Sequence, residues 1–123
     1  MVSGCGPLTA NELREEVSGL HSNAAEGALM AHEVALNKSR STLTRVHAQE
    51  LSADNAASEE KLSDAIVSNG LQHDVNEAIG LADEAATTLD QLALDPKDEA
   101  TAADAERKLM GIAAKLDQLK AGL

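Results

Sequence analysis

Apolar residues recur along this chain at alternating intervals of four and three, the spacing of one face of an α-helix. The run is unbroken through Leu71, Val75, Ala78, Ala82, Ala85, Leu89 and Leu92. A second seam follows at Ala102, Ala105, Leu109, Ile112, Leu116, Leu119 and Leu123, and an earlier one reads Leu13, Val17, Leu20, Ala24, Ala28, Ala31 and Ala35. Between them Leu43, Val46, Leu51, Ala57, Leu62, Ala65 and Ile66 form a looser stripe. β-Branched residues nowhere gather into an alternating run bounded by turn signals, so no strand is predicted and the fold class is all-α.

Capping and turn residues divide these stripes. Thr9-Ala-Asn-Glu12 fits a capping box and opens the first helix. The polar run Asn37-Lys38-Ser39-Arg40-Ser41 is the expected turn after it. No Gly or Pro forces a break there, so the alternative is one helix continuing to about Leu51 with a turn at Ser52-Ala-Asp-Asn55. Asn69-Gly70 reads as the next stop, because both residues tolerate the left-handed conformation that closes a helix, and Asp74-Val-Asn-Glu77 as the following cap. At Asp95-Pro96, Asp suits an N-cap and Pro the first helical position.

Short links make sequential helices antiparallel, which predicts an up-and-down bundle. Four helices of about 20–28 residues are preferred over three unequal ones, because matched lengths of roughly 30–42 Å leave no overhanging apolar face. Residues 9–123 form the single bundle domain and residues 1–8 a flexible tether.

Composition sharpens the packing. Hydrophobic residues make up 43% of the chain, yet it has no Phe, Tyr or Trp, so the core must come from Leu, Ile, Val, Met and especially Ala. Small side chains imply closely approaching backbones. Gly27 interrupts the first seam at about 1 kcal/mol relative to Ala, or lets a neighbouring helix come close. A formal charge of −11 repels nucleic acid and anionic headgroups alike. No stretch approaches the roughly 20 apolar residues of a membrane span.

Residues able to carry chemistry are dispersed. His21 and His32 share a helical face but sit about 16 Å apart along it, too far for one ion, and no Glu stands three residues before any His as di-iron bundles require. His47-Ala-Gln-Glu50 is a single reversed match. Glu15-Glu16, Glu59-Glu60 and Asp98-Glu99 are adjacent pairs whose side chains diverge by about 100° on a helix, the wrong geometry for an acid and base sharing a substrate. Neither a nucleophile elbow nor a phosphate-cradling loop is present, so we expect no enzyme, cofactor or metal site. Leu29, Leu36 and Leu43 form a second apolar row at intervals of seven. We expect it to be buried centrally among neighbours, the alternative being an exposed row that binds a partner helix or a second copy.

One cysteine remains, ahead of every predicted element. Val2-Ser3-Gly4-Cys5 resembles the lipobox of bacterial lipoproteins, with Val2 where Leu is most usual. The resemblance implies export, signal-peptide removal just before Cys5, and a lipid on its sulfur that alone would hold the protein at the cell envelope. The expectation is thus a lipid-anchored bundle acting by binding or by structure, against a cytoplasmic coiled-coil or scaffold protein.

Overall fold

A computed structural model describes residues 6–123. Four helices follow in order, α1 (Ala10–Ala35), α2 (Ser41–Asp64), α3 (Asn69–Leu94) and α4 (Glu99–Ala121). Among the described residues there is no strand, and no helix is long and apolar enough to cross a membrane. The motif Val2-Ser3-Gly4-Cys5, with the expected lipidation site at Cys5, lies outside the described residues.

The links are short and the helices alternate in direction. One end of the bundle, here the proximal end, carries residues 6–9 and the α2–α3 link. The distal end carries the α1–α2 and α3–α4 links. Cross-helix pairs confirm the register: Lys61 on α2 donates to Glu16 on α1 near the proximal end, and His32 on α1 meets Glu106 on α4 toward the distal end.

Three seams are buried as their spacing predicts, from Leu13 to Ala31 on α1, Val75 to Leu92 on α3 and Ala102 to Leu119 on α4. Helices approach most intimately in the pairs α1 with α4 and α2 with α3. The buried faces of these helices are rich in small residues, Ala24, Ala28 and Ala31 on α1, Ala102 and Ala105 on α4, Ala48 and Ser52 on α2, and Ala78, Ala82 and Ala85 on α3. Small side chains in a facing seam let backbones approach toward the short end of the usual helix separation of about 8–10 Å. Gly27 sits where all four helices meet, its Cα facing Leu51, Leu89 and Leu109.

The stripe expected on α2 is a correction. Only Leu51 and Leu62 of its seven residues are buried, whereas Leu43, Val46 and Ile66 are exposed. The inner face is instead Thr44, Ala48, Leu51, Ser52, Asn55 and Leu62. Polar residues therefore occupy core positions, and each must find a partner or go without.

Two boundaries also move. Asn69 and Gly70 open α3 rather than closing α2, which ends at Asp64, and Asp74 to Glu77 lie inside α3. Extended Ala65 and the β-branched pair Ile66-Val67 make the break, and Ser68 is the N-cap. At the distal end Asp95 closes α3, and Asp98 caps α4, accepting from the Thr101 amide at 3.3 Å. Leu8 reaches the bundle: its amide donates to the Ile66 carbonyl at 2.7 Å and its partly buried side chain packs on the core.

Candidate functional site

The titratable groups are spread over the surface. Three of the four histidines stand beside glutamates: His32 Nδ1 is 2.9 Å from Glu106 Oε2, His47 pairs with Glu26 across α1 and α2, and His73 lies 3.8 Å from Glu77 one turn on. By the register of the bundle, His47 and His73 are separated by roughly 28 Å along the axis. Among the described residues no three His, Cys, Asp or Glu side chains converge.

The carboxylates act locally. Glu12 closes the capping box by accepting from the Thr9 amide at 2.9 Å, while the Glu12 amide donates to the Thr9 hydroxyl. The Thr9 amide, and then its hydroxyl, hold the Glu12 carboxyl below the usual carboxylate range. Asp98 is lowered chiefly by the Thr101 hydroxyl, and Asp104 chiefly by Lys108 one turn on. Hydrogen bonding to Glu16 raises Lys61. Each of these shifts belongs to a helix end or an exposed pair.

What the surface does present is aliphatic. Leu29 and Met110, 63% and 58% exposed, line a groove of about 430 Å³ between α1 and α4 together with Ala25, Ala28 and Ala113. The His32–Glu106 pair closes its distal end. The row Leu29, Leu36 and Leu43 is not buried centrally: all three are at least half exposed. The interior side of α1 is taken by Gly27 and the alanines, whose small size widened the apolar arc read from the sequence and left the leucines outside it. Nor is the row one continuous helical line, because Leu36 caps α1 and Leu43 lies on α2.

The turn between Leu36 and Leu43 is tightly specified. Asn37 adopts a left-handed conformation with φ of 59°, the Asn37 amide donates to the Val34 carbonyl at 2.9 Å and the Lys38 amide to the Glu33 carbonyl at 2.8 Å. Together these bonds make the paired closure of a Schellman motif, with Asn in the position Gly usually takes. On the far side, the Ser39 and Thr44 hydroxyls share a hydrogen bond at 2.6 Å, a polar counterpart of the staple that fixes how a chain enters a helix. The knuckle so formed presents Leu36, Leu43 and Val46 to solvent together with Lys38, Arg40 and Arg45.

Beneath it the α2 core is polar. Ser52 donates to the Asp90 carboxylate at 2.6 Å on α3. Asn55 is wholly buried, and its amide donates to the Leu51 carbonyl one turn back while its Oδ1 has no hydrogen-bond partner. The sequence pattern hid this seam, because apolar spacing cannot find a core face built from Thr, Ser and Asn. The signal that could have found the knuckle was the absence of any carboxylate between Glu33 and Glu50.

Comparison with known proteins returns no match: no protein-family model fits this chain, and neither a curated protein nor a solved structure is similar to it.

Proposed function

We propose that this chain is the non-enzymatic binding domain of an exported bacterial lipoprotein, held at the envelope by a lipid on Cys5. The observation that carries this reading is the single cysteine, Cys5, in the lipobox-like Val2-Ser3-Gly4-Cys5, and the bond from the Leu8 amide to the Ile66 carbonyl adds an orientation by tying Leu8 to the proximal end of the bundle. A lipid three residues upstream of Leu8 would hold that end at the membrane. The distal end, with Leu36, Leu43 and Val46, would then face outward, about 35–39 Å away by the length of α1 and α2. The dispersion of histidines and carboxylates into surface pairs and caps supports binding over catalysis.

Intact mass spectrometry of the protein expressed from its full native reading frame in its own host tests the anchor. The expected result is a chain beginning at Cys5 with added acyl mass, absent from a Cys5→Ala variant. Unmodified Met1 in both would remove the lipid from the reading. The exposure of Leu29 and Leu36 along one side of α1 favours a second reading, a scaffold that pairs with itself. Sedimentation velocity on wild type and Leu36→Glu separates the two, since self-association lost in the variant belongs to the scaffold alone.

A further inference from the structure

The knuckle between α1 and α2 differs in charge from the rest of the molecule. Residues 34–49 hold Lys38, Arg40 and Arg45 and not one carboxylate, in a chain whose overall formal charge is −11. All three cations are exposed, and they stand among three exposed aliphatic side chains, Leu36, Leu43 and Val46. Across the α2–α3 boundary Leu94, 82% exposed, shares a shallow hollow with Arg45, Gln49, Ala93 and Asp90, whose carboxylate accepts from Ser52, and extends the apolar area.

We infer that this knuckle is a docking surface for an acidic, amphipathic segment of a partner protein, whose apolar side chains meet Leu36, Leu43, Val46 and Leu94 while its carboxylates meet Lys38, Arg40 and Arg45. The inference rests on the binding part of the reading above and is independent of the lipid. Charge selects this occupant over the others. A short peptide at the knuckle senses charges within a Debye length of about 8 Å, and residues 34–49 supply only cations there, with Asp90 of α3 at their edge. An anionic membrane is an extended plane and meets the negative field of the whole molecule. A second copy docking through the same patch would set three cations against three cations, which disfavours that pairing.

The surroundings also give the partner a direction. Asp95, Asp98 and Glu99 lie on the neighbouring distal link and at the start of α4, and they repel a carboxylate-bearing segment from that side. The acidic partner is thereby confined to the α1–α2 side and to the first turns of α2, ahead of Glu50 and Asp54. Preorganisation helps: the closure at Asn37 and the Ser39–Thr44 bond hold the knuckle in one shape, so little ordering accompanies binding.

The test uses two synthetic amphipathic helical peptides with the same leucine face, one carrying Glu on its polar face and the other Lys, each titrated by fluorescence anisotropy. The Glu peptide should bind, weaken with added salt, and lose about tenfold or more in affinity against Lys38→Glu/Arg40→Glu/Arg45→Glu. All three positions are exposed, so the variant should keep its helical circular dichroism. A Leu43→Ser/Val46→Ser variant, with every charge intact, should lose affinity as well. Equal binding of the Lys peptide, no binding of the Glu peptide, or no effect of the triple variant would each overturn the proposal. So would cation-dependent binding of vesicles containing phosphatidylglycerol, which would make the surface lipid-binding, or dimerisation abolished by the triple variant, which would make it self-binding.

Discussion

A Cβ placed on Gly27 would lie 3.0 Å from Leu89 Cδ2, closer than side chains settle, with Leu109 Cδ1 at 3.1 Å on its other side. Leu89 and Leu109 are both wholly buried, so each methyl must give by a few tenths of an ångström inside a packed core. Gly27→Ala therefore sets a helix-propensity gain of about 1 kcal/mol against overpacking of about 1–3 kcal/mol. We expect a net loss of about 1 kcal/mol in urea unfolding. Gly19→Ala, Gly80→Ala and Gly111→Ala meet nothing within 4 Å and should each gain about 0.5–1 kcal/mol. A stabilised Gly27→Ala would show that the central layer is looser than described.

Asn55 brings an unpartnered carbonyl oxygen into the core. Replacing it by Leu keeps the branch at Cγ and removes the stranded polar atom, whose burial costs about 1–3 kcal/mol. The larger methyls offset part of that gain, leaving an expected rise of about 1 kcal/mol in stability. Asn55→Asp should lose about 3 kcal/mol or more at neutral pH, where a buried, uncompensated charge would form. Burial raises that carboxyl in the folded state, so the variant should recover stability as pH falls toward 4. A pH-independent loss would point to lost shape, not charge.

The leucines sort into two groups that respond differently. Leu116 is 1% exposed, and Leu116→Ala should lower stability by about 2–5 kcal/mol. Leu43→Ala and Leu94→Ala should stay within about 0.5 kcal/mol, because their side chains already face water. Thermal melts of the three variants distinguish core from surface directly.

Acid should weaken the helix starts first. Glu12 and Asp98 are both held below the ordinary carboxylate range, by the Thr9 amide and the Thr101 hydroxyl respectively. Groups lowered on folding add stability above their unfolded values near pH 4 and lose it as pH falls through their folded values. The melting temperature should accordingly fall below about pH 4. Glu12→Gln/Asp98→Asn keeps acceptors at both caps but removes their titration, and its acid slope should be shallower. Thr9→Ala, which opens the capping box, should cost about 1 kcal/mol at neutral pH.

The four-helix bundle was legible wherever apolar residues alone make the seam. Leu13 to Ala31, Val75 to Leu92 and Ala102 to Leu119 all face inward at their predicted spacing. α2 was not legible, because Thr44, Ser52 and Asn55 hold its inner positions while Leu43, Val46 and Ile66 face out. Gly70 misled as a stop signal since its backbone has no positive φ, whereas Asn37, with a φ of 59°, closes α1 without glycine. The candidate surface was half visible. Leu29, Leu36 and Leu43 stood out as a row, but Leu36 caps α1 and Leu43 lies on α2, so a spacing of seven could not place them on one face. The pairing of His32 with Glu106 and of His47 with Glu26 joins residues 74 and 21 positions apart, which no local pattern reveals.

The most intimate helix pair joins the first helix to the last, and this orders events during synthesis. α2 and α3 can fold against each other as a local hairpin as soon as both have been made. α1 must wait with its alanine seam open until α4 follows, roughly 4–17 s later at about 5–20 residues per second. Through that interval Leu13, Val17 and Leu20 have no α4 to cover them. A nascent chain stalled before Glu99 should consequently hold a half-built bundle with α1 available to chaperones, and completion of α4 is the step that withdraws it from them.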